Sequence, residues 1–317
     1  LDPSAVSIAT AAAVDSVGDI WIAGATPLSL GLTPPSPSPT PVNPDNASVP
    51  PTSTLSNLQA LAVWKISAAG SLLSANTMPT SSVLFPTSIS VDRNGASVVG
   101  IIGSEKGSAG FLVNTDKAGL FGKMLQIGLV STTADAVVRH TDGSFTVAGS
   151  SSEALAGKKL AGVTDGVLIK VSKSLKIINV VRSSAVKGKR IWNSASSTLL
   201  LGGEVVAAGK TETAVTKFSS SFAPTWTYRF PSTGPALTVG SIYAVFISTG
   251  ATPQLNWNPK APTPLILSFD SKGSIIAADS GPVGQREVIG ALLSKELGVL
   301  VVTSSAESVS IFTLIPR

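Results

Sequence analysis

Apolar and polar residues alternate in short runs along this chain, and one kind of run returns six times with nearly the same ending. The six segments read LAVWKIS at 61–67, GFLVNTD at 110–116, VLIKVSK at 167–173, AVTKFSS at 214–220, LILSFDS at 265–271 and SIFTLI at 310–315. Their aligned positions are Lys65, Asn114, Lys170, Lys217, Ser268 and Thr313. The repeat distance of roughly 50 residues is the period typical of propeller blades. The pattern therefore predicts six similar β units.

A second recurring element precedes most of these segments. It reads VDSVGDIWIAG at 14–24, VDRNGASVVG at 91–100 and HTDGSFTVAG at 140–149, with a looser copy, KELGVLVVTS, at 295–304. Asp or Asn followed by Gly between alternating apolar runs is a strong hairpin signal. We interpret these elements as the hairpin between the first and second strands of a unit, and the six segments above as third strands.

Turns such as AAG at 68–70, KAG at 117–119 and SKG at 271–273 would lead into fourth strands. Four antiparallel strands repeated around an axis describe a β-propeller. We predict an all-β chain forming one propeller domain over residues 1–317, with six four-stranded blades and seven as the alternative. In the fourth and fifth blades the first two strands can be divided in more than one way.

The units resemble a bacterial β-propeller repeat family found in exported and surface proteins, whose units read approximately avDssGnvyvaG, a variable loop, then afvaKldpsG. The similarity is clearest at 13–24 with 61–70, at 89–100 with 110–119, and at 137–149 with 165–174. The resemblance implies a propeller fold and an extracytoplasmic setting. It implies no activity, because one fold hosts many functions.

The last unit runs out after its third strand. Three arrangements remain open: residues 1–8 supply the missing strand, the blade keeps three strands, or a neighbouring chain adds a strand to the open edge. The sequence does not decide among them.

A Pro-, Ser- and Thr-rich insertion at 27–58 interrupts the first unit between its second and third strands. Such a composition favours extended polyproline conformation and cannot bury a core. Two interpretations stay open: a disordered or glycosylated loop, or an arm that docks on a neighbouring subunit. For the arm, the candidate contact residues are Pro34, Pro35, Pro37, Pro39 and Pro41.

Composition narrows the function classes. Hydrophobic residues make up 43% of the chain and charged residues 13%, so the surface must be rich in hydroxyl and amide groups, as in exported bacterial proteins. The chain has no cysteine, which excludes disulfides, thiolate metal sites and thiol nucleophiles. A net charge of +5 without a dense basic tract argues against nucleic acid as a partner. No apolar run is long enough to predict a membrane span.

Enzymatic signatures are missing. His140 is the single histidine and lies in a predicted turn beside Asp142, where a structural role is the simpler interpretation. Exposed loop carboxylates are normally solvated, and no calcium loop or phosphate-binding glycine loop occurs. We therefore predict no catalytic residues, no metal and no cofactor.

Binding residues are expected where the loops between second and third strands meet the linkers between blades, on one face of the propeller. Trp257 lies there in a Pro- and Asn-rich loop, where it either stacks on a ligand or packs back onto its own domain. Trp21, Trp64 and Trp192 fall in predicted strands and are expected in the core. The candidate binding residues are Trp257, Asn256, Asn258, Lys260, Lys158 and Lys159.

These observations favour a non-catalytic extracellular or cell-surface propeller that binds a protein partner or itself. A propeller that binds cell-wall glycan is the alternative, and a glycan hydrolase or lyase is the third hypothesis.

Overall fold

The chain forms a six-bladed β-propeller in the computed structural model, which describes residues 7–28, 58–294 and 296–315. Six antiparallel sheets follow one another along the sequence, and five of them have four strands. We number the blades 1 to 6 in chain order. Within the described residues the sole helical element is one 3-10 turn, Pro253–Leu255. The predicted all-β propeller is confirmed.

The strands are short and evenly distributed. Their bounds are β1 Ile8–Val14, β2 Ile20–Thr26, β3 Ala60–Ile66, β4 Leu72–Pro79, β5 Leu84–Asp92, β6 Gly95–Ser104, β7 Gly107–Thr115, β8 Phe121–Ile127, β9 Thr132–Arg139, β10 Phe145–Ser151, β11 Asp165–Val171, β12 Ile177–Ser183, β13 Lys189–Ala195, β14 Leu200–Ala207, β15 Lys210–Phe218, β16 Pro224–Pro231, β17 Leu237–Val239, β18 Tyr243–Ser248, β19 Thr263–Phe269, β20 Ile275–Ser280, β21 Glu287–Ser294, β22 Gly298–Ser304 and β23 Val309–Leu314.

Strand register confirms the repeat. The six aligned residues all lie in third strands, and each pairs with the same position of its second strand. The pairs are Lys65 with Trp21, Asn114 with Ser97, Lys170 with Thr146, Lys217 with Leu200, Ser268 with Tyr243, and Thr313 with Leu300. Positions in different blades can therefore be compared one by one.

The predicted Asp and Gly hairpins are present. Asp15 Oδ1 accepts hydrogen bonds from the backbone N–H groups of Val17 and Asp19, while its Oδ2 accepts from Trp21 Nε1. Gly18 follows at a φ of 91°, where a side chain would be strained. His140 belongs to an equivalent turn, its Nε2 lying 2.7 Å from Thr146 Oγ1. The structural interpretation of His140 accounts for its contacts.

A β-bulge explains the glycine that closes the second strand of several units. The first strands of blades 1, 2, 3, 4 and 6 each carry one extra residue at the same register position, opposite Gly24, Gly100, Gly149, Gly203 and Thr303. A Cβ at any of the four glycines would collide with a backbone carbonyl of the bulged strand. Glycine is therefore required for the bulged strand to approach this closely. The extra residues are Thr10, Thr87, Asp135, Asn193 and Ile289.

The core lies between successive blades. Five apolar clusters join blade 1 to 2, 2 to 3, 3 to 4, 4 to 5, and 5 to 6. Trp21 and Trp192 are fully buried and Trp64 nearly so, as expected. First strands of successive blades contact one another, so they lie nearest the axis. Trp226 and Tyr228 of β16 both stack on Phe269 of the next blade. The outermost strand of blade 4 therefore turns this aromatic pair toward blade 5.

Blade 6 has three strands within the described part of the chain, in the order β21, β22, β23. Ile8 belongs to β1 of the first blade, so only residues 1–6 of the predicted closing segment remain, and they lie outside the described residues. Residues 29–57, including the five candidate prolines of the arm, lie outside them as well. Leu58, at the end of the predicted insertion, is instead a buried core residue.

Candidate functional site

Blade linkers and the loops between second and third strands are hydrogen-bonded to each other on one face, as the sequence predicted. Ser152 N–H donates to Ser131 O, Arg190 N–H to Thr164 O, and Arg286 N–H to Ser304 O. Each bond joins the start of a first strand to the loop that follows a second strand, or to the last residue before that loop. We call this surface the loop face.

Glu153 fixes the linker between blades 2 and 3. Its Oε1 accepts hydrogen bonds from the backbone N–H groups of Leu129, Val130 and Ser131, and from Thr132 Oγ1 at 2.7 Å. Burial alone would raise the pKa of Glu153, but these four donors hold it below its ordinary value. This carboxylate therefore acts as a structural cap for the linker.

Asp165 anchors the loop at 152–164. It is fully buried and pairs with Arg182 Nε at 2.9 Å, while the backbone N–H groups of Ala161 and Gly162 also donate to it. Burial raises the pKa of Asp165, yet the donors and the guanidinium outweigh that effect and lower it. Lys158 and Lys159 project from this anchored loop and are exposed. The loop thus presents two cations on a fixed backbone.

Trp257 packs back onto its own domain. Its Nε1 donates to Ser248 Oγ at 3.1 Å, and its ring joins the apolar cluster between blades 4 and 5. Asn256 has a left-handed φ of 49°, and Asn256, Asn258 and Lys260 are exposed around the half-buried ring. The second of the two interpretations therefore describes this tryptophan, although one part of the ring stays accessible.

The accessible part of Trp257 lines an open cavity of about 370 Å³ on the flank of blade 5. Leu255 and the outermost strand β20 supply the other walls, with Asp279 and Ser280 as polar groups. The lining therefore combines a tryptophan and aliphatic side chains with a few polar groups, as ligand cavities commonly do. The cavity lies beside the loop face, at the outer edge of the blade.

The six candidate binding residues divide into two groups. Lys158 and Lys159 belong to blade 3, whereas Asn256, Trp257, Asn258 and Lys260 belong to blade 5. Blade 4 stands between them, and no hydrogen bond or ion pair among the described residues joins the two loops. The fold therefore does not assemble them into one site.

Sequence reasoning missed a second cavity, of about 300 Å³, on the loop face. Glu204 of β14, Arg286 and Glu287 line it with residues of the linker at 232–236. Burial raises the pKa of Glu204, and the nearby Lys189 partly offsets this. Glu204 sits in a strand without any local motif, so no sequence signal pointed to it.

The part of the chain that is described contains no group of three or more His, Asp or Glu side chains able to hold a metal ion. A search of its helical elements finds none of the length and hydropathy that a bilayer crossing requires.

No protein-family model and no curated protein matches the sequence. A search of solved structures finds similar chains, among them the crystal structure of the eukaryotic initiation factor, at 7% identity and a TM-score of 0.27. The match covers 71% of this chain and 63% of that one, so the chain spans less than two thirds of its length. At this TM-score the likeness supports no functional argument.

Proposed function

We propose that the protein is a non-catalytic binding module that holds a protein partner, or another copy of itself, at its sixth blade. One observation carries this proposal. Strand β23 pairs with β22 along one edge, and the sheet ends there within the described residues. A strand edge with free N–H and C=O groups is a template for adding a strand from another chain.

The side chains of β23 favour a protein over a polar ligand. Val309 and Ile311 are 64% and 71% exposed, the highest values among the large aliphatic residues of the described strands. Burying them against a second polypeptide would remove apolar surface from water and stabilise the complex. We further propose an exported bacterial protein at the cell surface, on the basis of its repeat resemblance, its low charge and its lack of cysteine.

The test compares two lysine variants. Ile311→Lys places a charge on the exposed side of the edge strand β23, and Ile178→Lys places one on the outermost strand of blade 3, where Ile178 is also exposed. Self-association is measured by light scattering, and partner binding by cross-linking in an extract of the native source. We expect at least a tenfold loss for Ile311→Lys and no change for Ile178→Lys. Equal behaviour of the two variants, or a strictly monomeric chain that captures nothing, would refute the proposal.

The predicted arm can be tested with the same assay. Deleting residues 29–57 removes the Pro-rich segment but keeps Leu58, whose buried side chain the core needs. If the arm docks on a neighbouring subunit, the deletion weakens association while the unfolding temperature stays constant. Unchanged association would remove the arm from the proposed interface.

A glycan-binding function is the second candidate, favoured by the cavity beside Trp257. Tryptophan faces stack on sugar rings, and the exposed amides of Asn256 and Asn258 can hydrogen-bond hydroxyl groups. Retention on cell-wall polysaccharide should fall at least tenfold in Trp257→Ala and little in Trp257→Phe. Absence of retention by the unaltered chain would eliminate this candidate.

A further inference from the structure

The free face of blade 6 is apolar. Residues of β22 alternate in burial, with Val299, Val301 and Thr303 buried against blade 5 and Leu300 and Val302 only partly covered on the opposite side. The neighbouring strands present their apolar residues on that same side. Those residues are Leu292, Val309 and Ile311.

Comparison with blade 5 shows what this face lacks. Ile311 occupies the repeat position of Ile266, two residues before the aligned Thr313 and Ser268. Ile266 is 0% exposed because blade 6 covers it, whereas Ile311 is 71% exposed. In the same way Val302 corresponds to Val245, which is also 0% exposed. The residue types are those of a blade interface, and only the cover is missing.

Blade 1 also has one face without a neighbouring blade, on its opposite side. On the side turned away from blade 2 it carries Ile20, Ile22, Trp64 and Ile66 of β2 and β3; Ile20 is exposed, Ile22 and Ile66 are half-buried, and only Trp64 is buried. The corresponding residues of blade 3, Phe145, Val147, Ile169 and Val171, are all buried against blade 2. In blade 1 this side holds a groove of about 160 Å³, lined by Ala9, Ile22, Trp64, Ile66, Gly70 and Leu72.

These two faces do not cover each other. No apolar cluster, ion pair or hydrogen bond among the described residues connects blade 6 to blade 1. Neither face carries a charged side chain in its centre, and Glu287 lies at the rim of the blade 6 face. The five blade interfaces therefore leave one apolar face without a neighbouring blade at each end of the series, on blade 1 and on blade 6.

We propose that these two faces bind one further blade, that is, a four-stranded antiparallel sheet with apolar residues on both sides, supplied by a partner protein. Continuity supports this occupant. Each of the five interfaces between neighbouring blades joins two antiparallel sheets through apolar residues, and blades 2 to 5 each have four strands and apolar residues on both sides. A sheet with two apolar faces satisfies both halves at once.

Segments of this chain outside the described residues fit less well. Residues 1–6 are enough for one strand only, and a single strand covers one edge and not two faces. Residues 29–57 are rich in proline, which interrupts the hydrogen-bond ladder of interior strands. The docking of a blade at these faces presupposes the protein-binding function proposed above and names the kind of partner.

The test uses the absence of cysteine from the chain. Ile22→Cys and Ile311→Cys, introduced singly into the full chain, report exposure of the two faces through their rates of thiol labelling. Ile266→Cys is the buried control. The probe is a second copy of residues 132–183, which form blade 3, joined after residue 317 through a flexible linker. Circular dichroism checks that each variant keeps its β structure.

We expect both reporter cysteines to react quickly in the chain itself and at least tenfold more slowly in the extended chain. A probe carrying Leu168→Asp and Ile169→Asp, one charge on each of its faces, should restore fast labelling. Unchanged rates in the extended chain would overturn the proposal. An intramolecular disulfide in the Ile22→Cys/Ile311→Cys variant would also overturn the proposal, since blades 1 and 6 would then pack directly on each other. An intermolecular disulfide would overturn it as well, because the two faces would then bind another copy of this chain. Because the labelling rates are measured without a native partner, the test of blade docking can fail while the binding assay with Ile311→Lys succeeds, and the reverse.

Discussion

Blades 3 and 6 are built from similar strands, but they differ in how deeply those strands are buried. All seven residues of β10 and all but Lys170 of β11 are buried in blade 3, whereas the central strand of blade 6 is buried on alternate residues. Strands β11 and β22 each contain four Val, Leu or Ile residues, so a lack of aliphatic residues does not cause the difference. Blade 3 has a neighbour on each side and blade 6 has one. Burial in this fold is therefore decided by neighbours, as in other repeat architectures.

The largest expected effect comes from the bulge contact of blade 3. Gly149→Ala would place a Cβ against the carbonyl of Thr133, so the backbone must shift, and we expect a loss of about 4 kcal/mol in the free energy of unfolding. Gly290→Ala, beside the bulge of blade 6, meets open space and should change it by less than about 0.5 kcal/mol. Denaturant unfolding of the two variants checks this, and similar losses would contradict the difference drawn between the blades.

A repeat-matched pair of isoleucines gives the next largest effect. Ile266→Ala removes a fully buried side chain between blades 5 and 6 and should cost about 3 kcal/mol. Ile311→Ala, at the same repeat position on the free face, should cost less than about 0.5 kcal/mol. Equal losses would mean that Ile311 is covered in solution.

Lowering the pH should destabilise the fold through Asp165 of blade 3. The donors around Asp165 hold its pKa below the unfolded value, so its contribution to stability is present above about pH 4 and is lost as the pH falls through the lower folded value. We expect Asp165→Asn to destabilise the chain by about 2 kcal/mol at pH 7 and to flatten its acid dependence. Glu307→Gln, on the exposed loop of blade 6, is the control. Thermal unfolding from pH 2 to pH 7 provides the measurement, and parallel curves for all three proteins would disprove the assignment.

The smallest expected effect is a gain in stability, from a substitution at Asp135. Burial raises the pKa of Asp135 to about 6, although Thr133 Oγ1 donates to it at 2.6 Å. A raised folded pKa means that stability falls as the pH rises from about 4 to about 6, because over that range the carboxyl ionises in the unfolded chain while burial keeps it protonated in the folded one. Asp135→Asn should remove this dependence and stabilise the chain by about 1 kcal/mol at pH 7.5. Ile289→Thr, at the same bulge position of blade 6, should leave the pH dependence intact, and a gain confined to acid pH would refute the prediction for Asp135.

The fold could be predicted because its signals are local and repeated. Asp15 and Gly18 act within one hairpin, so a short sequence pattern contains the whole interaction, and the Lys65 position recurs at the same register in every blade. The candidate site could not be predicted in the same way. Whether Trp257 faces a ligand or its own core depends on Ser248 and the adjacent blade, and Glu204 and Glu287 line one cavity although they belong to blades 4 and 6. Such contacts depend on blade packing, which no local pattern specifies.

In five of the six first strands a bulge leaves one residue without a partner in the backbone register. These residues are Thr10, Thr87, Asp135, Asn193 and Ile289, and they include hydroxyl, carboxyl, amide and aliphatic groups at one repeated position. The five blades keep the same strand register whichever of these side chains stands at the bulge. The fold therefore accommodates different chemical groups beside the axis at one repeated position.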